Sequence, residues 1–392
     1  MHISRLLILL SAFLISCIAT SAEVIVGAAR PGEYLPLLKD KRVALLSNHT
    51  GLVDGRHTLD TLLSLGVNVT VIFSPEHGFR GTADAGEHVA GSVDKVTGIP
   101  IASLYNGSGS RMPSREVMDR FDIIVTDIQD VGLRFYTYYI TMLDLMDAAA
   151  AHNKEFMVLD RPNPNGMTVD GPILDMTLKS GVGRLPIPIL HGMTLGELAL
   201  MIKGEGWLTS SYPLSLTVIP CEGYTHATRY TLPVAPSPNL PDMQAIYLYP
   251  STCLFEGTVM SLGRGTEYPF TIYGHPAMSG CSFSFTPKSR PGAKNPPLLN
   301  RRCFGHNLRN MPTDSIIAHG LDLSYIIEAY RNPGMKKQPK FFTPFFDKLI
   351  GNRRIRQLIE QGYSAERIQA TWANDVLRFK EQRRPYLLYP ES

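Results

Sequence analysis

Residues 122–159, DIIVTDIQDVGLRFYTYYITMLDLMDAAAAHNKEFMVL, decide the fold. Asp122–Asp127 and Glu155–Leu159 are apolar runs of strand length without the polar alternation of a half-exposed strand. Each therefore reads as a strand buried on both faces. Between them, from Gly132 to His152, apolar side chains return every three or four positions around Met142, Leu145, Met146 and Ala149, the period of a helix. Strand, long helix, strand is the crossover unit of a parallel sheet.

The same pattern recurs upstream. Arg42–Ser47 (RVALLS) runs into the turn residues Asn48–His49–Thr50–Gly51 and a helical stretch from His57 to Leu65, and Val69–Phe73 (VTVIF) follows as another buried strand. The expected architecture is α/β, with a doubly wound, mainly parallel sheet. Past residue 240 the texture changes. Pro236, Pro238 and Pro241 make a stiff connector, Gly274–Pro297 is rich in turn formers and reads as an irregular excursion, and Asp322–Tyr330 and the charged stretch Arg353–Arg384 read as helices. The expected division is a leader over 1–22, a sheet domain over 23–240 and a smaller domain over 241–392 that closes a cleft.

Composition narrows the class. Of 392 residues, 44% are hydrophobic and 19% charged, with 38 Lys and Arg against 35 Asp and Glu. That near-balance gives no footprint for a nucleic-acid partner. Residues 1–22 read as an export signal: Arg5, an apolar run Leu6–Ile15, then Thr20, Ser21 and Ala22. The mature protein is thus expected outside the cytoplasm, in the periplasm. Leu14–Ile15–Ser16–Cys17 also fits a lipobox, in which case Cys17 is acylated and the chain is a membrane-anchored lipoprotein. The other cysteines, Cys221, Cys253, Cys281 and Cys303, have no CxxC spacing, and a chain this long buries a core without staples. They are expected as thiols, with no metal centre and no cofactor.

Open α/β sheets bind ligands beyond the C-terminal ends of their strands, and here every such end carries a polar cluster: NHTG (48–51), SPEHGFRG (74–81), DIQD (127–130) and DRPNPNG (160–166). Nucleophile-elbow, Walker A, dinucleotide and zinc-peptidase motifs are absent. What is abundant is carboxylate beside arginine, in loops. Glu76, between Pro75 and Phe79, is open to partial desolvation, which raises a carboxyl pKa and suits a general acid; the alternative is an ion pair with Arg80 that shapes the turn. His77 is a ligand contact or a turn-stabilising side chain. Asp127, at a strand tip, is a candidate for contacting substrate or a catalytic water, whereas Asp130 is an N-cap or a ligand group. Asn48 joins the same rim. Arg134 and Tyr136 follow at the expected helix start, and Tyr136 with Tyr138 makes a ligand platform or part of the core.

Pro162 and Pro164 stiffen the loop that carries Asp160, Arg161 and Asn163. His191 precedes a helix for which Thr194 is the N-cap and Glu197 the capping-box partner, so Glu197 is set aside as catalytic. Glu256 and Arg264 supply a second acid and a basic, Gly-flanked loop from the other domain.

Taken in order, the blocks SPEHGFRG, DIQDVGLRFYTY, LDRPNPNG, HGMTLGELA, PSPNLP and CLFEGTVMSLGRGTEYPF span nearly the whole mature chain and closely resemble the bacterial exo-β-N-acetylmuramidase family. The resemblance implies a Rossmann-like domain, a smaller α+β C-terminal domain and a cleft between them. It implies a glycoside hydrolase that releases N-acetylmuramic acid from the non-reducing ends of peptidoglycan fragments. The family's proposed catalytic glutamate corresponds to Glu76. Met260–Ser261–Leu262 departs from the more acidic or polar lead-in common before Gly263.

Muramic acid carries a lactyl carboxylate that glucosamine lacks, so a selective pocket needs a fixed cation, and Arg80, Arg134, Arg161 and Arg264 are the candidates. With Glu76 as acid, Asp127 or Glu256 is the expected second carboxylate. A separation of about 5–5.5 Å means retention and about 6.5–9.5 Å inversion; the sugar's own 2-acetamido group is a third route. The rival from another class is a non-catalytic exported protein that holds a muropeptide.

Overall fold

The computed structural model describes residues 23–75, 79, 92–104, 112–338 and 340–392. Residues 1–22, with Arg5 and Cys17, and the residues Glu76, His77 and Arg80 lie outside the described residues. In the first half the strands are β1 (Arg42–Ser47), the short pair β2 (Leu52–Val53) and β3 (Arg56–His57), β4 (Asn68–Ser74), β5 (Ser92–Val93), β6 (Pro100–Ser103), β7 (Ile123–Asp127), β8 (Glu155–Leu159) and β9 (Ser215–Ile219). Seven of them form one sheet in the order β5-β6-β4-β1-β7-β8-β9, with only the edge pair β5–β6 antiparallel. From β1 the chain builds outward through β4 and β6, then returns to build the other way through β7, β8 and β9. The direction reverses between β1 and β7, whose ends lie side by side with Ser47 opposite Asp127. That junction is where a doubly wound sheet opens a binding crevice.

Alternate residues of each strand enter opposite cores. Val43, Leu45, Ile123, Val125, Met157 and Leu159 pack with Tyr34 and Leu38 of α1 (Pro31–Leu38) and with Leu59 and Leu62 of α2 (Thr58–Ser64). Ala44, Leu46, Ile124, Phe156 and Val158 face the other way, toward Met118 of α3 (Arg115–Met118) and toward α4 (Tyr138–Ala151) and α5 (Leu195–Gly204). This two-sided burial explains why the runs lack polar alternation. All of α4 except Ala151 is buried, as for a helix closed in on every side. It begins six residues later than the apolar period predicts. Gly132 is at φ +76°, outside helical space, and a Cβ there would lie 2.2 Å from the Asn163 side chain. Leu133 instead pairs with Leu190, and Thr137, not Asp130, takes the N-cap position.

The second half is α+β. Helix α6 (Met243–Thr252) leads into a three-stranded antiparallel sheet, β10 (Ile272–His275), β11 (Phe283–Phe285) and β12 (Cys303–Asn307), ordered β10-β12-β11. The stretch 274–297 therefore holds a strand, β11, where an irregular excursion was expected. Helices α7 (Thr313–His319), α8 (Ser324–Arg331), α9 (Pro344–Ile350), α10 (Arg353–Glu360), α11 (Ala365–Gln369) and α12 (Ala373–Arg383) complete it. One apolar cluster runs from Leu46 and Phe73 through Tyr139, Leu248 and Phe255 to Phe346 and Phe379, so the two halves share a core. The chain end returns to the large sheet: the Tyr389 hydroxyl donates to Asp160 Oδ2 (2.6 Å) and the Leu388 amide to Glu197 Oε1 (2.8 Å). Cys221, Cys253 and Cys303 are buried thiols and Cys281 is half-buried.

Candidate active site

The polar clusters at the strand ends do meet, but most turn inward. Asp127 is fully buried and accepts from Arg161 through both oxygens, Nε to Oδ1 at 2.5 Å and Nη2 to Oδ2 at 2.9 Å, and from the Thr58 hydroxyl. Arg161 Nη2 also donates to the Leu52 carbonyl (2.9 Å). The pair ties the end of β7 to the loop after β8 beneath the rim. Asp127 is thus corrected from catalytic candidate to scaffold, and Arg161 from substrate cation to its counter-charge.

Arg134 is corrected too. Its guanidinium is wholly buried and donates to four carbonyls, Pro172 (2.7 Å), Ile187 (2.9 Å), Leu349 (2.9 Å) and Ile350 (2.9 Å), stitching the first half to α9. Asp160 accepts from the Thr194 hydroxyl (2.6 Å), the Gly196 amide (2.8 Å) and Tyr389. Burial pushes its carboxyl up to about 6. It anchors the start of α5, where Thr194 and Glu197 form the expected capping box. Asn163 donates to the Met193 carbonyl (2.9 Å) and accepts from the Asn165 amide (2.8 Å). His191 accepts from the Met193 amide at Nδ1 (3.2 Å), and burial, with Arg383 nearby, holds it down to about 3 and so neutral. Asp160, Asn163 and His191 are each at most 3% exposed. They shape the rim rather than face a ligand.

A second layer leads outward from the junction. Asn48 is buried, accepts from the Thr50 amide (3.0 Å) and hydroxyl (2.6 Å), and donates from Nδ2 to the Tyr138 hydroxyl (2.9 Å). It is a positioning group, not a ligand contact. Tyr138 and Tyr136 both donate to the Pro236 carbonyl (3.1 and 2.9 Å), and His49 Nε2 donates to the Ala235 carbonyl (2.9 Å), so the proline connector is clamped over the rim. His57 donates from Nε2 to the Asn48 carbonyl (2.8 Å), and its ring meets Phe79 edge to face at 4.8 Å. Phe79 is 3% exposed. Pro75 and Phe79, which bracket the undescribed residues 76–78, therefore belong to the same rim as Asn48 and Tyr138.

Against Tyr136 and Tyr138 lies a cavity of about 290 Å³ between the two halves, also walled by Phe135, Asn239, Tyr249, Phe270, Glu256 and Arg264. That volume is near the lower end for ligand sites and suits one ring-sized ligand. Edge-to-face contacts stiffen its wall, Tyr136 on Tyr138 at 4.7 Å and Tyr249 on Phe270 at 4.7 Å. The two candidates from the second half lie together here. Glu256, in the turn Cys253–Gly257, and Arg264 pair inside the cavity while remaining 24% and 21% exposed. Asn239, Tyr249, Phe270 and Phe345 also line it and were not singled out from sequence; of these, Asn239 within PSPNLP and Phe270 at the end of CLFEGTVMSLGRGTEYPF lie in blocks that carried a signal. A larger cavity of about 550 Å³ lies among Tyr330, Lys336, Phe341 and Arg356, and none of its lining residues comes from a strand-end loop. Among the described residues no cluster of His, Cys, Asp and Glu is arranged to hold a metal.

Known proteins resemble this chain over most of its length. Residues 43–244 match the family model described as exo-β-N-acetylmuramidase NamZ, N-terminal, and residues 247–389 the corresponding C-terminal model. The peptidoglycan β-N-acetylmuramidase NamZ of Bacillus subtilis (strain 168) is 37% identical over 375 residues, 91% of this chain and 89% of that protein. A crystal structure of a DUF1343 family protein from Bacteroides fragilis NCTC 9343 is 57% identical with a TM-score of 0.88, covering 95% of this chain and 100% of that one. A second DUF1343 family protein from the same strain is 28% identical with a TM-score of 0.77, covering 93% and 99%.

Proposed function

The chain belongs to the NamZ exo-β-N-acetylmuramidase family, and on that footing we propose that it removes N-acetylmuramic acid from the non-reducing ends of peptidoglycan fragments. It is a glycoside hydrolase, and Glu76 is its general acid. The observation that carries this is the placement of the cavity. It adjoins the rim that anchors Pro75 and Phe79, it has an aromatic wall for the apolar face of a sugar, and it holds a carboxylate, Glu256, open to solvent. Glu76 protonates the glycosidic oxygen as charge develops on the ring, and proton transfer of this kind is worth roughly 10²–10⁴ in rate. Glu256 is the second carboxylate, since Asp127 is locked on Arg161.

The leader supports export: Arg5, the run Leu6–Ile15 and the small residues ending at Ala22 form a cleavable signal, with Cys17 as the competing acylation point. The mass of the mature N-terminus distinguishes cleavage after Ala22 from lipidation. For the activity, the full-length protein is incubated with muramic-acid-terminated glycan fragments. Free N-acetylmuramic acid should appear from the wild type and not from Glu76→Gln of equal thermal stability. No release by the wild type would overturn the assignment.

A further inference from the structure

Three arginine–carboxylate pairs in this molecule can be compared directly. Arg161 meets Asp127 fork on fork, two nitrogens on two oxygens. Arg356 meets Asp347 in the same way, Nε to Oδ1 at 2.9 Å and Nη2 to Oδ2 at 3.0 Å. Arg264 does not. Its Nε and Nη2 both donate to the one oxygen Oε1 of Glu256, at 2.9 and 2.6 Å. The fork is only half matched, because two parallel bonds to two oxygens are what a guanidinium and a carboxylate reach at their best.

This under-matched pair is also the one inside the cavity. Among the described lining residues, Glu256 and Arg264 are the only charged side chains. The guanidinium is held from below by the Phe270 ring, 5.0 Å from its centroid. Its loop is fixed as well. Gly263 and Gly265 flank it at φ +85° and +79°, and a Cβ at either would lie 2.5 Å from a carbonyl oxygen, of Tyr268 or of Lys288. Meanwhile Arg134 and Arg161 are committed to buried partners. Among the described residues, an anionic ligand entering this cavity therefore meets one fixed cation, Arg264, already satisfied by a carboxylate that the ligand's own carboxylate resembles.

Resting on the glycosidase assignment, we propose that Arg264 is the specificity-determining residue for an acidic sugar and that Glu256 is its exchangeable placeholder. The lactyl carboxylate of the substrate takes the fork with both oxygens and displaces Glu256. The displaced carboxylate becomes available in the cavity only when the acidic sugar is bound. A sugar without the carboxylate leaves the pair closed, so one exchange couples recognition to readiness of the second carboxylate. No bond is made or broken in this exchange; two hydrogen bonds change acceptor.

The test uses the full-length protein and three aryl β-glycosides: the N-acetylmuramide, its lactyl amide, and the N-acetylglucosaminide. Sites built around a specific polar contact reject analogues that lack it steeply. The wild type should prefer the muramide over the amide by roughly 10²–10³ in kcat/KM, and Arg264→Gln should collapse that ratio toward one. Arg264→Lys keeps the charge but loses the fork, so its ratio should be intermediate. Glu256→Gln, which weakens the competitor for Arg264, should lower the Kd of free N-acetylmuramic acid several-fold while leaving the Kd of its lactyl amide unchanged; this binding measurement needs no turnover and carries the test if Arg264→Gln does not fold. A folded Arg264→Gln with full preference for the carboxylate, or a Glu256→Gln with unchanged Kd for N-acetylmuramic acid, would overturn the proposal while leaving the glycosidase assignment in place. A wild type that cleaves none of the three glycosides removes both.

Discussion

Asp127→Asn separates scaffold from catalyst at the position where sequence and structure part company. The carboxylate is 0% exposed and Arg161 is 3% exposed at the side chain, and the two are joined by two charge-assisted bonds, with a third from Thr58. Asparagine preserves the shape but turns one acceptor into a donor that faces a donor, and it leaves a buried guanidinium without its counter-charge. Breaking a buried pair in this way costs about 3–5 kcal/mol. At about 2 °C per kcal/mol, the lower end for proteins of some 200 residues, the thermal midpoint should fall by roughly 6–10 °C. The double variant Asp127→Leu with Arg161→Met removes both charges and should recover much of the loss, since hydrophobic replacement of a buried pair is often neutral. The assay is thermal and urea denaturation of both proteins, alongside kcat/KM at a temperature where each is folded. Activity of folded Asp127→Asn should stay within about tenfold of wild type. Undiminished stability with a thousandfold loss of kcat/KM would refute the scaffold role.

Further expectations concern the joints between the two halves. Arg134→Met leaves four buried carbonyls without their donor and should destabilise by at least about 3 kcal/mol, read by urea titration. Tyr389→Phe removes a donor from buried Asp160 and from the docked chain end. It should cost about 1–3 kcal/mol and speed amide exchange in residues 384–392. Asp130 gives a pH signature. Burial raises its carboxyl to about 7, above the roughly 3.9 of an unfolded chain, and its Oδ2 has no hydrogen-bond partner. The folded state therefore binds the proton more tightly. Its contribution favours folding below about pH 4 and is lost as pH rises to about 7, a swing of about 4 kcal/mol at most. Asp130→Asn should flatten the fall in stability between pH 4 and 7; an unchanged slope would show that Asp130 does not cause it.

The middle of the large sheet was legible because RVALLS, IIVTD and FMVL are buried on both faces, which leaves an unbroken apolar run as its mark, whereas β6 and β9 toward its edges were not read. The short strands β5 and β11 left no such mark, because two or three residues make no period. The start of α4 was misjudged because apolar spacing continues through 132–137 while Gly132 breaks the backbone geometry. The polar loops were correctly placed at the strand ends, but their direction was not legible. Whether Asp127 faces water or protein depends on Arg161, 34 positions away, and Arg134 finds two of its four carbonyls more than 200 positions on. Glu256 and Arg264 stand only eight positions apart and both line the cavity.

The most direct measurement is the dependence of the Glu76→Gln rate on the leaving group. A general acid matters in proportion to the proton its leaving group needs. On a muramic-acid-terminated disaccharide the variant should lose roughly 10²–10⁴ in kcat/KM. On a dinitrophenyl β-N-acetylmuramide, whose phenolate departs unaided, it should stay near wild type. Equal losses on both substrates, or none on either, would contradict the role assigned to Glu76.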